Sequence, residues 1–291
     1  MVKTLSELYL QTRRALMTKE DSDTAGFIAR QLICHVTGMT REQVIANQGH
    51  YASEKVCGEI PLLVNRILAD EPLAYVLGEW EFYGMKLTVT TNVLIPRDDT
   101  CAVTDLAIRQ ALFLESNPRI LDLCTGSGCI GLAIANGVKD AKVTLADISR
   151  EAMQVAKTNI TAQKLTARVS CVQANALEEP PAFLGKFDMI VSNPPYITTQ
   201  EMQELPSSVA EYEPHLALHG GIDGLDFYRA IAKNYKKALK PGGYLCFEFG
   251  MGQGDAICAL LEENGYTILE RSRDYNDRER AVLAQLDRKE W

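Results

Sequence analysis

The 291-residue sequence lacks the features of a membrane or secreted protein. It contains no run of about 18 apolar residues, so we expect no transmembrane helix. Its first 20 residues follow a polar, amphipathic helical pattern, without the apolar stretch of a secretory signal. Hydrophobic residues make up 46% and charged residues 23% of the chain, which is typical of a soluble globular protein. We therefore expect a cytoplasmic protein with one large and one small domain.

Clustered metal ligands are also missing from the sequence. The eight cysteines include no C-x-x-C pair, and the four histidines do not have metal-ligand spacing. Most of the cysteines lie in apolar segments. We interpret them as reduced, buried thiols that act as small hydrophobic residues, and we predict no metal site.

The chain has no excess of basic residues. Its 30 lysines and arginines against 38 acidic residues give a formal net charge of −8. Proteins that bind nucleic acid through its phosphates usually present a basic face. An acidic total is compatible with a local basic patch, but it disfavours a nucleic-acid partner, and we expect no direct contact with nucleic acid.

The first part of the chain, residues 1–78, shows helical periodicity. Helices are predicted over residues 5–16, over 21–36 before a cap at Gly38, after Thr40, and over 53–69 with a break at Pro61. We interpret this part as a small helical bundle. Residues 79–96 are predicted to form a linker that contains a β-hairpin over 82–93, with its turn at Gly84.

Strands and helices alternate in the remainder, residues 97–291, after a predicted helix over 99–114. The predicted strands cover residues 120–124, 143–146, 168–173, 188–192, 244–249, 267–271 and 281–285. Such alternation predicts an α/β fold with a mostly parallel, doubly wound sheet. Only nine residues, 272–280, separate the last two strands, so we expect the final strand to insert antiparallel.

A glycine-rich turn lies between the first of these strands and the next helix. Gly126, Gly128 and Gly131 fit the pattern G-x-G-x-x-G, in which glycine lets the backbone approach a ligand at a helix N-terminus. Asp147, at the end of the second strand, is placed to accept hydrogen bonds from ribose hydroxyls. The pattern suits a dinucleotide or S-adenosylmethionine. The carboxylate of Asp122 favours the latter, because it would repel a pyrophosphate but not a cationic amino acid.

A second motif, Asn193-Pro-Pro-Tyr196, follows an apolar strand. Ligands of open α/β sheets bind beyond the carboxyl ends of the strands, so Asn193 is expected near the ligand of the glycine turn. The prolines stiffen the backbone and leave only carbonyl acceptors. A planar NH₂ group could then donate to the Asn193 side-chain oxygen and to the Pro194 carbonyl, with Tyr196 stacked on its plane. Taken alone, this tetrapeptide is also compatible with a merely rigid loop.

In this order, the two motifs and Asp147 resemble the HemK/PrmC family, the glutamine N5-methyltransferases of peptide-chain release factors. The resemblance extends over essentially the whole chain. Further similar stretches are Glu71–Gly78, Glu81–Gly84, Val93–Arg97, Tyr212–Pro214 with Ala217-Leu218, Gly220–Asp226 and Asp274–Val282.

The resemblance implies a Rossmann-like class I methyltransferase domain over residues 97–291. The helical bundle of residues 1–78 would help to dock the substrate protein, and residues 79–96 would link the two. The implied reaction moves a methyl group from S-adenosylmethionine to the glutamine of the Gly-Gly-Gln loop in class I release factors, and leaves S-adenosylhomocysteine. We expect a monomeric enzyme.

Motif and resemblance together give the predicted site. The cofactor residues are Asp122, Thr125, Gly126, Ser127, Gly128, Asp147, Ile148, Asn175, Ala176 and Asn193. The catalytic residues are Asn193, Pro194 and Tyr196, and the substrate-binding residues are Asn193, Pro194, Pro195 and Tyr196.

Two departures from the family pattern bear on the cofactor contacts. Asp98-Asp99 stands where the family usually has Pro-Glu, and Asn175-Ala176 stands where many members have an acid and an aromatic residue. Asn175 could still bond the adenine edge, but aromatic stacking from that position is lost.

Two alternative functions remain open. One is methylation of an exocyclic amine in DNA or RNA. The other is a non-enzymatic or NAD-binding domain, which would leave the Asn193 motif without a role.

Overall fold

The computed structural model describes residues 3–287 and divides into two compact units. The first unit contains the residues up to Gly78 together with Ser207–Tyr212. The second contains Glu79–Pro206 and the residues from Glu213 onward.

The first unit is helical. Its helices are α1 (Leu5–Leu16), α2 (Ser22–Thr37), α3 (Arg41–Ala46), α4 (Glu54–Leu68) and α5 (Leu73–Leu77). Thr4 and Thr40 each form a capping box with the residue three positions on, which satisfies free N–H groups at the helix starts. Gly38 ends α2 in the left-handed conformation with φ 69°, as predicted. The sequence analysis did not predict α5, because a helix of only five residues shows little periodicity.

The predicted break at Pro61 is wrong, because α4 continues through it. Proline lacks an N–H donor, so the carbonyl one turn earlier loses its helical partner. Pro61 lies on the exposed side of α4, where water can satisfy that carbonyl. Val56, Ile60 and Val64 on the opposite side are buried in the core of the first unit and hold the helix in place.

The segment Ser207–Tyr212 belongs to the first unit, although the sequence placed it inside the large domain. The Tyr212 hydroxyl donates a hydrogen bond to the Ala69 carbonyl at 2.6 Å. Lys19 pairs with the Asp70 carboxylate and lowers its pKa, and a hydrogen bond from Ser207 lowers it further. These contacts join chain segments that are far apart in sequence.

The second unit starts with the predicted hairpin, which begins three residues earlier than expected. Its strands are β1 (Glu79–Phe82) and β2 (Met85–Thr88). The turn residues Tyr83 and Gly84 both have positive φ, at 52° and 70°, as a two-residue hairpin turn requires. A 3₁₀ turn at Asp98–Thr100 then leads into α6 (Cys101–Ala111), which ends three residues before the predicted limit.

A seven-stranded sheet forms the centre of the second unit. Its strands are β3 (Arg119–Leu123), β4 (Lys142–Asp147), β5 (Val169–Gln173), β6 (Phe187–Ser192), β7 (Leu239–Glu248), β8 (Tyr266–Arg273) and β9 (Glu279–Leu286). Their order is β5-β4-β3-β6-β7-β9-β8. Strand β9 is antiparallel to both neighbours and the first five strands are parallel, which confirms the predicted fold class.

Helices cover both faces of this sheet. They are α6, α7 (Cys129–Gly137), α8 (Arg150–Ala162), α10 (Asp226–Asn234) and α11 (Gly254–Glu263), with the short α9 (Ser207–Ala210) in the first unit. Ile120 packs into the core on one face and Leu121 into the core on the other, and both are fully buried. The strands are apolar on both sides for this reason.

None of the helices described in residues 3–287 is both long and apolar enough to cross a membrane.

Candidate active site

The candidate site lies where the strand order reverses. After β3 the chain adds β4 and β5 on one side, and it adds β6 on the other side of β3. A crevice forms beyond the carboxyl ends of strands at such a point. The Ser192 hydroxyl, at the end of β6, donates to the Leu123 carbonyl at the end of β3 (2.6 Å) and so holds the two strand ends together.

The glycine turn after β3 needs its glycines for different reasons. Gly126 and Gly128 have φ of 53° and 86°, which other residues adopt at a cost. A Cβ at Gly131 would lie 2.3 Å from Leu145 Cδ2 and 2.9 Å from Asp122 Oδ2. The third glycine therefore permits the close approach of α7 to the sheet.

Asp122 lies beneath the glycine turn, in the interior of β3, and is fully buried. Its Oδ2 accepts hydrogen bonds from Thr125 Oγ1 at 2.5 Å and from Gly131 N at 2.9 Å. Its Oδ1 has no hydrogen-bond partner within residues 3–287. Burial raises the pKa of Asp122 to about 7. The carboxylate supports the turn from below, and its role in binding the cofactor stays a prediction.

Asp147 ends β4 beside the turn. Its Oδ2 accepts from Gly126 N and its Oδ1 from Ser149 N, both at 2.9 Å. Burial raises its pKa. Each carboxylate oxygen can accept more than one hydrogen bond, so both retain capacity for hydroxyl groups of a ligand.

The Asn193 motif follows β6. Pro194 and Pro195 are buried, and Asn193 and Tyr196 are partly buried. Asn193 Nδ2 donates to Thr100 Oγ1 at 3.4 Å. The Tyr196 carbonyl accepts from Gln253 Nε2 at 3.0 Å, which fixes the end of the motif.

Three further glycines surround this motif. A Cβ at Gly220 would lie 2.6 Å from the Pro195 carbonyl oxygen, and one at Gly224 would lie 2.3 Å from the Tyr196 carbonyl oxygen. A Cβ at Gly250 would lie 3.0 Å from the Tyr196 ring. Gly220 and Gly224, in a segment that the sequence singled out only by resemblance, thus let one loop pack directly against the motif, and Gly250 lets a second loop do so.

Both motifs line one cavity in the second unit. The cavity encloses about 1080 Å³, part of which is open to solvent. Of the predicted residues, its walls include Thr125, Gly126, Ser127, Asp147, Ile148, Asn175, Ala176, Asn193 and Pro195. Within residues 3–287, the other predicted residues lie outside the walls: Asp122, Gly128, Pro194 and Tyr196.

Several residues that line the cavity were not predicted as site residues. They come from the segment before α6, from the chain after residue 213 and from α10: Asn92, Val93, Leu94, Pro96, Arg97, Thr100, Pro214, Leu216, Ala217 and Phe227. Arg97 forms an ion pair with the buried Glu213. The similar stretches Val93–Arg97 and Tyr212–Pro214 contained this signal, but the sequence alone did not assign them a role.

The structure shows the contacts of Asp99 and Asn175, which belong to the two segments that differ from the family pattern. Asp99 forms an ion pair with Arg280 at 2.9 Å. Asn175 lines the cavity, and its Oδ1 accepts from Leu177 N at 3.0 Å. Phe227 supplies an aromatic side chain to the cavity from α10.

Comparisons with known proteins agree with this arrangement. Residues 7–78 match the PrmC N-terminal domain family, and residues 105–212 match the methyltransferase small domain family. The release factor glutamine methyltransferase of Clostridium acetobutylicum is 38% identical over 253 residues, which are 87% of this chain and 88% of that protein. The one from Geobacter sulfurreducens is 35% identical over 273 residues, 94% of each chain.

A solved methyltransferase from Pyrococcus furiosus shares the fold, with a TM-score of 0.50 and 16% identity. The match covers 79% of this chain and 98% of that one. The two relatives confirm the resemblance drawn from the sequence. The chain belongs to the release factor glutamine methyltransferase family.

Proposed function

We propose that this protein transfers a methyl group from S-adenosylmethionine to the side-chain amide nitrogen of the glutamine in the Gly-Gly-Gln loop of class I peptide-chain release factors. The product of the donor is S-adenosylhomocysteine. The observation that carries the proposal is that Asn193 and the glycine turn line one cavity. The names of the relatives, release factor glutamine methyltransferases, support the choice of substrate.

The residues of the cavity fit the methyl donor. Asp147 retains acceptors for the two ribose hydroxyls, and Asn175 Nδ2 is a donor for the adenine edge. Ile148, Ala176 and Leu177 offer apolar surface to the faces of the adenine ring. A cavity that is mostly apolar with a few polar groups is typical of small-molecule sites.

The methionine part of the donor would lie along the glycine turn. Gly126 lines the cavity and Gly128 shapes the turn, while Thr125 and Ser127 add polar groups beside them. Asp122 would act on the donor through the turn, because it holds Thr125 and Gly131 in place.

The Asn193 motif would hold the acceptor nitrogen. An amide nitrogen is a weak nucleophile because its lone pair is delocalised. The Asn193 side-chain oxygen would accept one N–H bond, and Pro195 would form the wall beside it. Pro194 and Tyr196 lie outside the cavity walls as the structure has them, and we propose that the Pro194 carbonyl accepts the second N–H bond and that Tyr196 flanks the amide plane once the substrate is bound. These acceptors orient the lone pair and stabilise positive charge that develops on nitrogen.

The bound donor supplies an electrophilic methyl group. The residues of the chain then need only align the nitrogen with it and exclude water, and the proton can leave nitrogen after transfer. We further propose that the helices of residues 1–78 help to dock the release factor.

Mass spectrometry tests the proposal directly. The purified protein is incubated with isotope-labelled S-adenosylmethionine and a class I release factor, and the methyl group is located by peptide sequencing. We expect it on the Gly-Gly-Gln glutamine, and no label when that glutamine is replaced by alanine. Label on DNA or RNA offered in the same assay, with none on the release factor, would favour the exocyclic-amine alternative instead.

A further inference from the structure

Glu248, at the end of β7, is a buried acid for which the proposed reaction has no role so far. Its side chain is 2% exposed, and its Oε2 has no hydrogen-bond partner within residues 3–287. An unpaired buried carboxylate is costly, so its presence calls for a physical explanation. The strand places it directly beside the Asn193 motif, because β7 pairs with β6.

Glu248 is not needed to neutralise the charge of its neighbour Arg280. Arg280 already pairs with Asp99 at 2.9 Å and with Asp274 at 3.1 Å. The Asp274 carboxylate also accepts from the backbone N–H groups of Asn276 and Arg278. Arg280 and the loop before β9 are therefore held without Glu248.

The polar neighbours of Glu248 belong to the active site. Burial raises the pKa of the Glu248 carboxyl, and the side chains of Thr100 and Asn193 lower it as hydrogen-bonding neighbours; both residues line the cavity. Asn193 Nδ2 also lies 3.4 Å from Thr100 Oγ1. The NH₂ side of the Asn193 amide thus faces Thr100 and Glu248.

This arrangement determines which atom of Asn193 faces the cavity. An ionised carboxylate has no hydrogen to donate, so only the NH₂ group of an amide can face it favourably. The Oδ1 atom must then point the other way, toward the cavity that Asn193 lines. An oxygen there accepts N–H bonds and repels the oxygen of a carboxylate.

We propose that Glu248 is a positioning residue that fixes the Asn193 amide with its oxygen toward the cavity, and thereby selects a substrate that donates N–H bonds over one that presents a carboxylate. This inference rests on the proposed function and deepens it. It explains how one site distinguishes a glutamine side chain from a glutamate side chain of nearly the same shape. Sites built to hydrogen-bond a donor reject analogues without it strongly.

The charge of Glu248 should make the selection sensitive to pH. Burial raises the pKa of Glu248 to about 7, and the negative charge of Asp99 also raises it. The hydrogen-bond donors Thr100 and Asn193 and the positive charge of Arg280 lower it. The other titratable groups that sense its charge are Tyr196, Tyr228, Cys101 and Cys129. A protonated Glu248 can donate to Asn193 Oδ1 and turn the amide over, so turnover should fall as the pH drops through about 7.

The test compares two conservative variants. Glu248→Gln keeps the shape but can both donate and accept, so the Asn193 amide loses its preferred orientation. Tyr228→Phe is the matched control, because the Tyr228 hydroxyl donates to the backbone carbonyl of the same Glu248 at 2.9 Å and leaves its carboxylate untouched. Turnover, the affinity for S-adenosylmethionine and inhibition by a release factor with glutamate in place of the substrate glutamine are measured from pH 6 to 9.

We expect Glu248→Gln to lower kcat between about 10-fold and 100-fold, as expected for a misplaced reacting group, with unchanged affinity for S-adenosylmethionine. It should lose the decline of kcat below pH 7 and bind the glutamate protein more tightly relative to the glutamine protein. Tyr228→Phe should keep the wild-type pH profile and selectivity.

Wild-type turnover, pH profile and selectivity in Glu248→Gln would overturn the inference while leaving the proposed function intact. A wild-type protein that does not methylate the glutamine would instead refute the proposed function, and this inference with it. If Glu248→Gln does not fold, the wild-type profile decides, since a kcat that is constant from pH 6 to 8 contradicts the role of Glu248.

Discussion

Single residues in the cofactor half of the site have separable roles. Asp147 faces the cavity, whereas Asp122 lies beneath the turn. The sequence predicted that both carboxylates would be near the ligand, since Asp147 ends a strand and Asp122 lies close to the glycine turn. It could not predict which one is buried, because that depends on the side of β3 against which α7 packs.

Asp147→Ala should weaken binding of S-adenosylmethionine by about 10-fold or more, since a hydrogen bond to a charged group contributes about 1.5–3 kcal/mol. Turnover at saturating donor should change little, because Asp147 does not face the acceptor nitrogen. Calorimetric titration and steady-state kinetics check this. A variant with normal affinity and reduced kcat would show that the ribose assignment is wrong.

Gly131→Ala should destabilise the second unit by about 1–3 kcal/mol and weaken donor binding, because its Cβ would overlap Leu145 and Asp122. Gly58→Ala in α4 is the control, since its Cβ would meet no atom within 4 Å. Urea unfolding and donor titration measure both effects. Equal stability and equal donor affinity in the two variants would contradict the close-packing role of Gly131.

At the scale of elements, periodicity predicted the seven strands and the main helices well. Buried strands such as β3 and β6 are mostly apolar, and helices such as α2 end at a glycine cap. The short α5 and the 3₁₀ turn before α6 were missed, because elements of three to five residues carry little periodicity. The break at Pro61 was wrong because tertiary packing of α4 outweighs the local cost of proline.

Pro61→Ala should therefore stabilise the first unit, by up to about 3 kcal/mol, the difference between proline and alanine inside a helix. The residue is exposed, so the substitution removes no core contact. Thermal unfolding followed by circular dichroism measures the gain. Unchanged or lower stability would indicate that the restored hydrogen bond contributes nothing to α4.

At the scale of the whole molecule, the two units were predicted only in part. The sequence separated residues 1–78 from the sheet, but not Ser207–Tyr212, whose contacts with Ala69 and Asp70 join distant segments. The residues that line the cavity were also predicted only in part. Gly126, Asp147 and Asn193 follow strand ends, which topology brings together, whereas Arg97 and Phe227 come from segments whose approach no local pattern encodes.

The buried acids should make overall stability depend on pH. Burial raises the pKa of Asp122 and of Glu248 to about 7, so the folded state holds their protons more tightly than the unfolded chain. Their contribution is complete below pH 4 and is lost as the pH rises through 7. Carboxylates with lowered pKa, such as Asp223 at about 2, lose their contribution only in more acidic solution.

We therefore expect the free energy of unfolding to fall from pH 5 to pH 8. Glu248→Gln should remove up to about 3 kcal/mol of that fall, since one pKa unit corresponds to 1.36 kcal/mol. Urea unfolding at several pH values measures both slopes. A free energy of unfolding that rises over this pH range would contradict the raised pKa values of these buried acids.

The central claim is that Asn193 holds the acceptor nitrogen beside a donor that other residues bind. The most direct test is the turnover of Asn193→Ala, measured with the affinity for S-adenosylmethionine, with Asn264→Ala at the end of α11 as the control. The account predicts that kcat falls about 100-fold in Asn193→Ala, as when one oriented polar partner of a transition state is removed, while donor affinity stays the same. Normal turnover in Asn193→Ala, or a loss confined to donor affinity, would contradict it.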